Sequence, residues 1–120
     1  MTRSPRAYLV LTRHLIVAED LAQTIAQFDP GAEVLRARDP EAAAALLDGA
    51  ARLDLAFVAD ARGQEGWEEF VGMLETRGAV IVLIPRDDDR PPADDARHLA
   101  LERPFTTEMV LDLLERSLNG

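Results

Sequence analysis

Asp60 is the residue in this sequence whose position most clearly suggests chemistry. It ends the run 53–60, which is apolar apart from Asp54, and a loop containing Gly63 and Gly66 follows it. A nearly continuous apolar run of this length predicts a strand buried in the middle of a parallel sheet. Binding and catalytic sites of open α/β sheets lie just beyond the carboxyl ends of such strands. We therefore expect a site around Asp60.

Further polar residues follow two other predicted strands. Thr12, Arg13 and His14 come after the apolar run 7–11, and Arg103 comes after the short run 99–102. Arginine binds carboxylates and phosphates through two parallel hydrogen bonds, and a helix N-terminus favours anions. These residues could therefore form a pocket for a small anion or nucleotide. The alternative, which we favour, is an ion pair of Arg13 with Asp60 or Asp54.

Five strands and the helices between them would position these residues. Strands are predicted at 7–11, 33–38, 53–60, 79–84 and 99–102. Helical spacing of apolar residues predicts helices at 15–28, at 40–47 with Asp39 and Gly49 as caps, and from Trp67 to a stop at Gly78. A last helix begins at Thr106 or Thr107 and has apolar positions at Val110 and Leu114.

This alternation predicts an α/β fold with a parallel sheet and helices on both faces. The apolar strands one, three and four should be central, whereas strand two carries Arg36 and Arg38 and suits an edge. The expected order is 2-1-3-4-5, a flavodoxin-like (βα)5 three-layer sandwich formed by one domain, 1–120, with residues 1–6 frayed. The segment 87–95 contains five aspartates and Pro91-Pro92, so the fourth helix should be short or irregular. This acidic segment is either a solvated loop or a docking site for a basic partner.

Composition excludes several classes of function. The net charge of −9 opposes direct binding of nucleic acid or of an anionic membrane. The chain has no cysteine, and all thirteen basic residues are arginine, which excludes thiol and Schiff-base chemistry. His14 and His98 lack a metal-ligand spacing. We expect a cytoplasmic protein that is not an enzyme and has no cofactor and no metal.

Two motifs resemble the receiver domains of two-component response regulators. Leu101-Glu102-Arg103-Pro104-Phe105-Thr106 is similar to the Lys-Pro-Phe motif that ends strand five of that family. The run 54–59 with Gly66 after it is similar to the strand that carries the phosphorylated aspartate. The similarity spans about Arg6 to Leu118 and implies the flavodoxin-like arrangement.

The resemblance also implies which positions would carry phosphoryl transfer from a histidine kinase. The family has an acidic pair that holds Mg²⁺, an acceptor aspartate, a hydroxyl on strand four and a lysine on strand five. The corresponding positions in this chain are Thr12 and Arg13, Ala59, Ile84, and Arg103. Two metal ligands are absent and Arg13 would repel Mg²⁺, which requires carboxylate oxygens. The resemblance therefore implies a degenerate receiver, or pseudo-receiver.

Asp60 lies one residue beyond the acceptor position and leaves an alternative open. It could be a displaced phosphoacceptor, or a solvated carboxylate after a strand, which we favour because a slip by one residue reverses the side-chain direction.

We therefore expect a module that signals by phosphorylation-independent protein–protein interaction. Its partner would be a histidine kinase, a response regulator or an output protein, or a second copy of the chain. The candidate interaction face is Leu101, Phe105, Val110 and Leu114.

Overall fold

Strands and helices alternate along the chain, as the sequence predicts. The computed structural model describes residues 6–50, 52–59, 61, 63–84, 99–100 and 106–119. The strands are β1 Ala7–Leu11, β2 Glu33–Ala37, β3 Leu55–Ala59, β4 Val80–Ile84 and β5 Leu99–Ala100; the helices are α1 Leu15–Phe28, α2 Pro40–Asp48, α3 Trp67–Thr76 and α4 Thr107–Asn119.

Local sequence signals account for several helix ends. The Asp39 carboxylate accepts a hydrogen bond of 2.8 Å from the Ala42 amide and caps α2, with Pro40 in the first turn. The Thr106 hydroxyl accepts from the Met109 amide at 3.2 Å, so Thr106 rather than Thr107 caps α4. Gly78 follows α3 with φ of 80°, a left-handed conformation that favours glycine.

The sheet is parallel and its order agrees with the prediction for the strands described. The four five-residue strands are arranged β2-β1-β3-β4, and the two residues of β5 pair with Val82 and Leu83 of β4. β1 is fully buried between two neighbours, whereas β2 is largely exposed or half-buried, as expected of a charged edge strand.

Two apolar cores lie on opposite faces of the sheet. Successive residues of β1 alternate between them, with Tyr8 and Val10 in one core and Leu9 and Leu11 in the other. Helices α1 and α4 cover the first face, and α2 and α3 cover the second. The molecule is therefore a three-layer α/β sandwich in the part that the structure describes.

Three strand boundaries differ from the predictions, and one of them is the start of β4, which lies at Val80 instead of Ala79. β3 begins at Leu55 instead of residue 53, and the Asp54 carboxylate before it accepts a hydrogen bond from the Ala7 amide at the start of β1. β2 ends at Ala37, so Arg38 lies in the turn that leads into α2. The predicted short fourth helix and the acidic segment 87–95 lie outside the described residues.

Candidate functional site

A cleft of about 440 Å³ opens at the carboxyl edge of the sheet. The ends of β1, β3 and β4 form its floor, and the starts of α2 and α3 form its sides. Its described lining residues are Leu11, Thr12, Arg13, His14, Arg38, Asp39, Pro40, Ala59, Ala61, Gln64, Glu65, Gly66, Trp67, Phe70 and Ile84. This is the place at which open α/β sheets bind ligands.

Four residues singled out from the sequence meet in this cleft. Thr12 and Arg13 follow β1, and Ala59 is paired with Ile84 across the ends of β3 and β4. The structure thus brings together Thr12, Arg13, Ala59 and Ile84, which occupy four of the five positions implied by the resemblance. Asp60 and Arg103 lie outside the described residues.

Thr12 is a buried polar residue whose hydrogen-bonding groups are used locally. Its side chain is 3% exposed, and its hydroxyl oxygen accepts a bond of 3.2 Å from the His14 amide. Its own amide donates to the Ala37 carbonyl at 3.1 Å and extends the pairing of β1 with β2 by one step. Thr12 therefore shapes the turn into α1 at the position where the resemblance requires a carboxylate.

Asp54 lies at the amino ends of the strands and Arg13 at their carboxyl ends, so the predicted pairing of Arg13 with Asp54 is wrong. The Asp54 carboxylate accepts from the Ala7 amide at 2.9 Å and from Arg52 Nε at 3.0 Å. Asp54 precedes β3 and Arg13 follows β1, and these two strands run parallel. The alternative pairing with Asp60 lies outside the described residues.

Arg38 lines the cleft, although the sequence pattern predicted it to be the last residue of the edge strand 33–38. β2 ends one residue earlier than predicted, and Arg38 consequently extends from the same edge of the sheet as Arg13. The sequence Arg38-Asp39-Pro40 contains the signal, because an N-cap directly after a strand marks the strand's carboxyl end.

Trp67 packs at the start of α3. It is 8% exposed, contributes to the core under α2 and α3, and lines the cleft. Gly66 precedes it with φ of 85° and no side-chain cap, so α3 begins directly at the cleft.

Two residues of the candidate interaction face are buried, and this part of the prediction is wrong. Val110 is 2% exposed and Leu114 is 0% exposed, because both pack in the core between α4 and α1. Leu101 and Phe105 lie outside the described residues. The exposed large apolar residues of the described chain are instead Leu15, Ile16, Leu46 and Met109.

The described residues offer neither a metal-binding cluster nor a membrane-spanning helix. No three His, Asp or Glu side chains within those residues are grouped in a way that could hold a metal ion. Among the described helices, none combines the length and the apolar character that crossing a bilayer requires.

Comparisons with known proteins identify the fold. No protein-family model matches the sequence, and no curated protein matches it significantly. Solved structures do match. The chemotaxis response regulator CheY4 of Vibrio cholerae is 21% identical with a TM-score of 0.71, over 96% of this chain and 100% of that one. A response regulator from Thermotoga maritima is 15% identical with a TM-score of 0.73, over 98% and 100% of the two chains. A response regulator receiver protein from Sinorhizobium medicae is 19% identical with a TM-score of 0.72, over 98% and 97%. The chain therefore has the flavodoxin-like fold of response-regulator receiver domains.

Proposed function

We propose that this chain is a non-catalytic pseudo-receiver that signals through contact with another protein, without being phosphorylated. The single observation that carries the proposal is the meeting of Thr12, Arg13, Ala59 and Ile84 in one cleft. In a phosphorylated receiver the corresponding positions would supply the metal ligands, the acceptor and the hydroxyl. Here the fold supports a signalling role, and the composition of the cleft argues against the chemistry.

The reason is the ligand preference of Mg²⁺ and of the phosphoryl group. Mg²⁺ is held by carboxylate oxygens, and charge that develops on a transferred phosphoryl group needs cationic and hydroxyl partners. Ala59 and Ile84 have no side-chain oxygen, and the Thr12 hydroxyl already accepts from His14. Arg13 lines the same cleft, and its guanidinium would repel a divalent cation there.

The partner in this proposal is a histidine kinase, a response regulator or an output protein, with a second copy of the chain as the alternative. A surface for it is offered by Leu15 and Ile16, which are 68% and 84% exposed at the first turn of α1. Met109 is 37% exposed at the first turn of α4, the helix that packs against α1. Adjacent exposed apolar side chains of this size are typical of contact sites.

Thermal melting with and without Mg²⁺ plus beryllofluoride, a mimic of an aspartyl phosphate, tests the absence of phosphorylation. We expect no shift in melting temperature, because the cleft has lost the groups that would hold the mimic. A Mg²⁺-dependent rise that disappears in Asp60→Asn would overturn the proposal and make Asp60 a displaced phosphoacceptor. Labelling with acetyl phosphate gives an independent check of the same residue.

Capture experiments test the contact surface. We expect the double variant Leu15→Ser/Ile16→Ser to lose a partner that the unchanged chain retains, with the fold intact by circular dichroism. Leu46→Ser is the matched control, since Leu46 is 38% exposed on α2, on the other face of the sheet. A partner retained by the double variant would contradict this assignment, and sedimentation of the purified chain would show whether the partner is a second copy.

A further inference from the structure

We propose that the cleft binds a small organic anion non-covalently, with its carboxylate or phosphate group between Arg13 and Arg38. The apolar body of the ligand would lie against the cleft wall. This inference goes beyond the proposed signalling function and does not depend on it, because it concerns a ligand and not a partner protein.

The arginines of the described residues differ in whether they have a hydrogen-bond or ion-pair partner. Five of the seven arginines in the described residues donate to a carboxylate or a carbonyl: Arg6 to Asp29, Arg36 to Glu19, Arg52 to Asp54, Arg77 to Ala50 and Arg116 to Asp112. The remaining two, Arg13 and Arg38, have no such partner within the described chain, and both line the cleft. The guanidinium groups that lack a partner within the described residues are therefore concentrated at one place.

The register of β1 and β2 places Arg13 and Arg38 on neighbouring segments of the chain. Leu11 is paired with Ala37, and the Thr12 amide donates to the Ala37 carbonyl. Arg13 and Arg38 follow directly after this last hydrogen bond, on neighbouring segments of the same sheet edge. A planar guanidinium binds a carboxylate or phosphate through two hydrogen bonds, so two of them on adjacent segments suit a single oxyanion.

The described lining of the cleft does not share the acidic excess of the whole chain, because two arginines there balance two carboxylates. Asp39 and Glu65 are the carboxylates among the described lining residues, and Asp39 is already used as the cap of α2. The start of α1 has no side-chain cap and no acidic residue in its first turn, so its positive end adds to the two arginines. In a chain with a net charge of −9, two neighbouring arginines without an ion-pair partner among the described residues are unusual.

The size of the cleft and the chemistry of its walls suit an organic ligand. A volume of about 440 Å³ is much larger than an inorganic ion needs and falls within the range of small-molecule sites. Leu11, Ala59 and Ile84 give the floor an apolar surface, and Trp67 and Phe70 add aromatic rings. An apolar or aromatic body attached to the anionic group would fill this space and remove that surface from water.

Titrations in EDTA, followed by tryptophan fluorescence, test this site. Trp67 is the only tryptophan of the chain and lines the cleft, so its emission reports occupancy. The probes are adenosine monophosphate and benzoate as organic anions, inorganic phosphate as the bare anion, and adenosine as the neutral body. We expect saturable binding of at least one organic anion, tighter than inorganic phosphate or adenosine and without Mg²⁺.

Variants at the two arginines show where the probe binds. Arg13→Gln and Arg38→Gln should each weaken the bound probe by roughly tenfold or more, as expected for the loss of one charged hydrogen-bonding group. Arg36→Gln is the matched control, because it removes the same charge from a residue of β2 that is paired with Glu19. It should leave the dissociation constant within about twofold, a change too small to represent a lost contact.

Three results would overturn the inference. One is that neither adenosine monophosphate nor benzoate gives a saturable change in tryptophan fluorescence. Another is binding that neither Arg13→Gln nor Arg38→Gln weakens relative to Arg36→Gln. The third is adenosine or inorganic phosphate binding as tightly as the organic anions. None of these results bears on the capture of a partner protein, so this inference and the proposed function fail separately.

Discussion

At the scale of single residues, the two ends of the run 54–59 have different roles. Ala59 lies at the carboxyl end of β3, in the cleft, and offers no reactive group. Asp54 lies at the amino end and forms a structural contact, because it joins the start of β1 to Arg52. The carboxylate that supports the sequence resemblance therefore contributes to the stability of the fold and not to its site.

Replacing Asp54 with asparagine should show this contribution. Burial raises the pKa of the Asp54 carboxyl, but hydrogen bonds from Arg52 and from the Ala7 amide outweigh burial, and the net pKa is lowered. We expect Asp54→Asn to reduce the free energy of unfolding at neutral pH by ~1.5–3 kcal/mol, the range for hydrogen bonds to charged groups.

The pH dependence follows from the direction of that shift. A lowered native pKa gives stability that is fully present above the unfolded pKa of about 4 and is lost as pH falls through the native value. The difference between the two proteins, measured by urea denaturation, should therefore shrink below about pH 4. Asp112→Asn is the control, since Asp112 is exposed and paired with Arg116, and it should change stability by less than about 1 kcal/mol. An equal loss in both variants would contradict the special role of Asp54.

Tyr8 gives a second residue-scale prediction. Burial is the main cause that raises its pKa to about 12, and its hydroxyl also donates to Asp29 at 3.2 Å. Because the pKa is raised, the stabilisation is complete below the unfolded value of about 10 and is lost as pH rises towards the native one. Absorbance titration follows Tyr8 alone, since it is the only tyrosine. We expect Tyr8→Phe to lose stability less steeply than the unchanged chain above about pH 10. A midpoint near the unfolded value in the folded chain would contradict the burial argument.

At the scale of elements, two glycines, one inside α3 and one after its end, have opposite expected effects on stability. Gly72 lies inside the helix, and an added Cβ would have no atom within 4 Å. Gly78 follows the helix in a left-handed conformation, with φ of 80°. We expect Gly72→Ala to raise the free energy of unfolding by ~0.5–1 kcal/mol through helix propensity, and Gly78→Ala to lower it by ~1 kcal/mol. Each variant is the other's control in thermal or urea unfolding, and a loss of stability in both would contradict the argument.

Elements marked by local signals were predictable from the sequence, and the site only in part. β1 and α1 have the predicted bounds because an apolar run and a helical period meet at the polar residues Thr12 to His14. Arg38 was missed because a charged residue at the end of an edge strand reads equally well as part of that strand. Val110 and Leu114 were correctly placed on the apolar face of α4, but the resemblance assigned this face to a partner whereas α1 covers it.

At the scale of the whole molecule, the net charge of −9 should oppose the compact state. Exposed ion pairs are individually weak, so salt should screen more repulsion than attraction. We expect the melting temperature to rise between about 10 mM and about 200 mM NaCl, where the Debye length falls from about 30 Å to below 10 Å. Sucrose, which does not screen charge, is the control for general solute effects. A fall in melting temperature with salt would mean that the ion pairs dominate.

The position of β1 in the middle of the sheet has a consequence for how the molecule opens. Its backbone is bonded on both sides, to β2 and to β3, and all five of its side chains are buried. β2 is bonded on one side within the described sheet and is partly exposed. In hydrogen–deuterium exchange, the amides of β1 that bond to β3 should therefore exchange only through global unfolding. Those of β2 and α2 should exchange through a smaller opening at lower free energy. Arg38 belongs to this more easily opened part and Arg13 to the more protected part, so the cleft lies at the boundary between two units of different local stability.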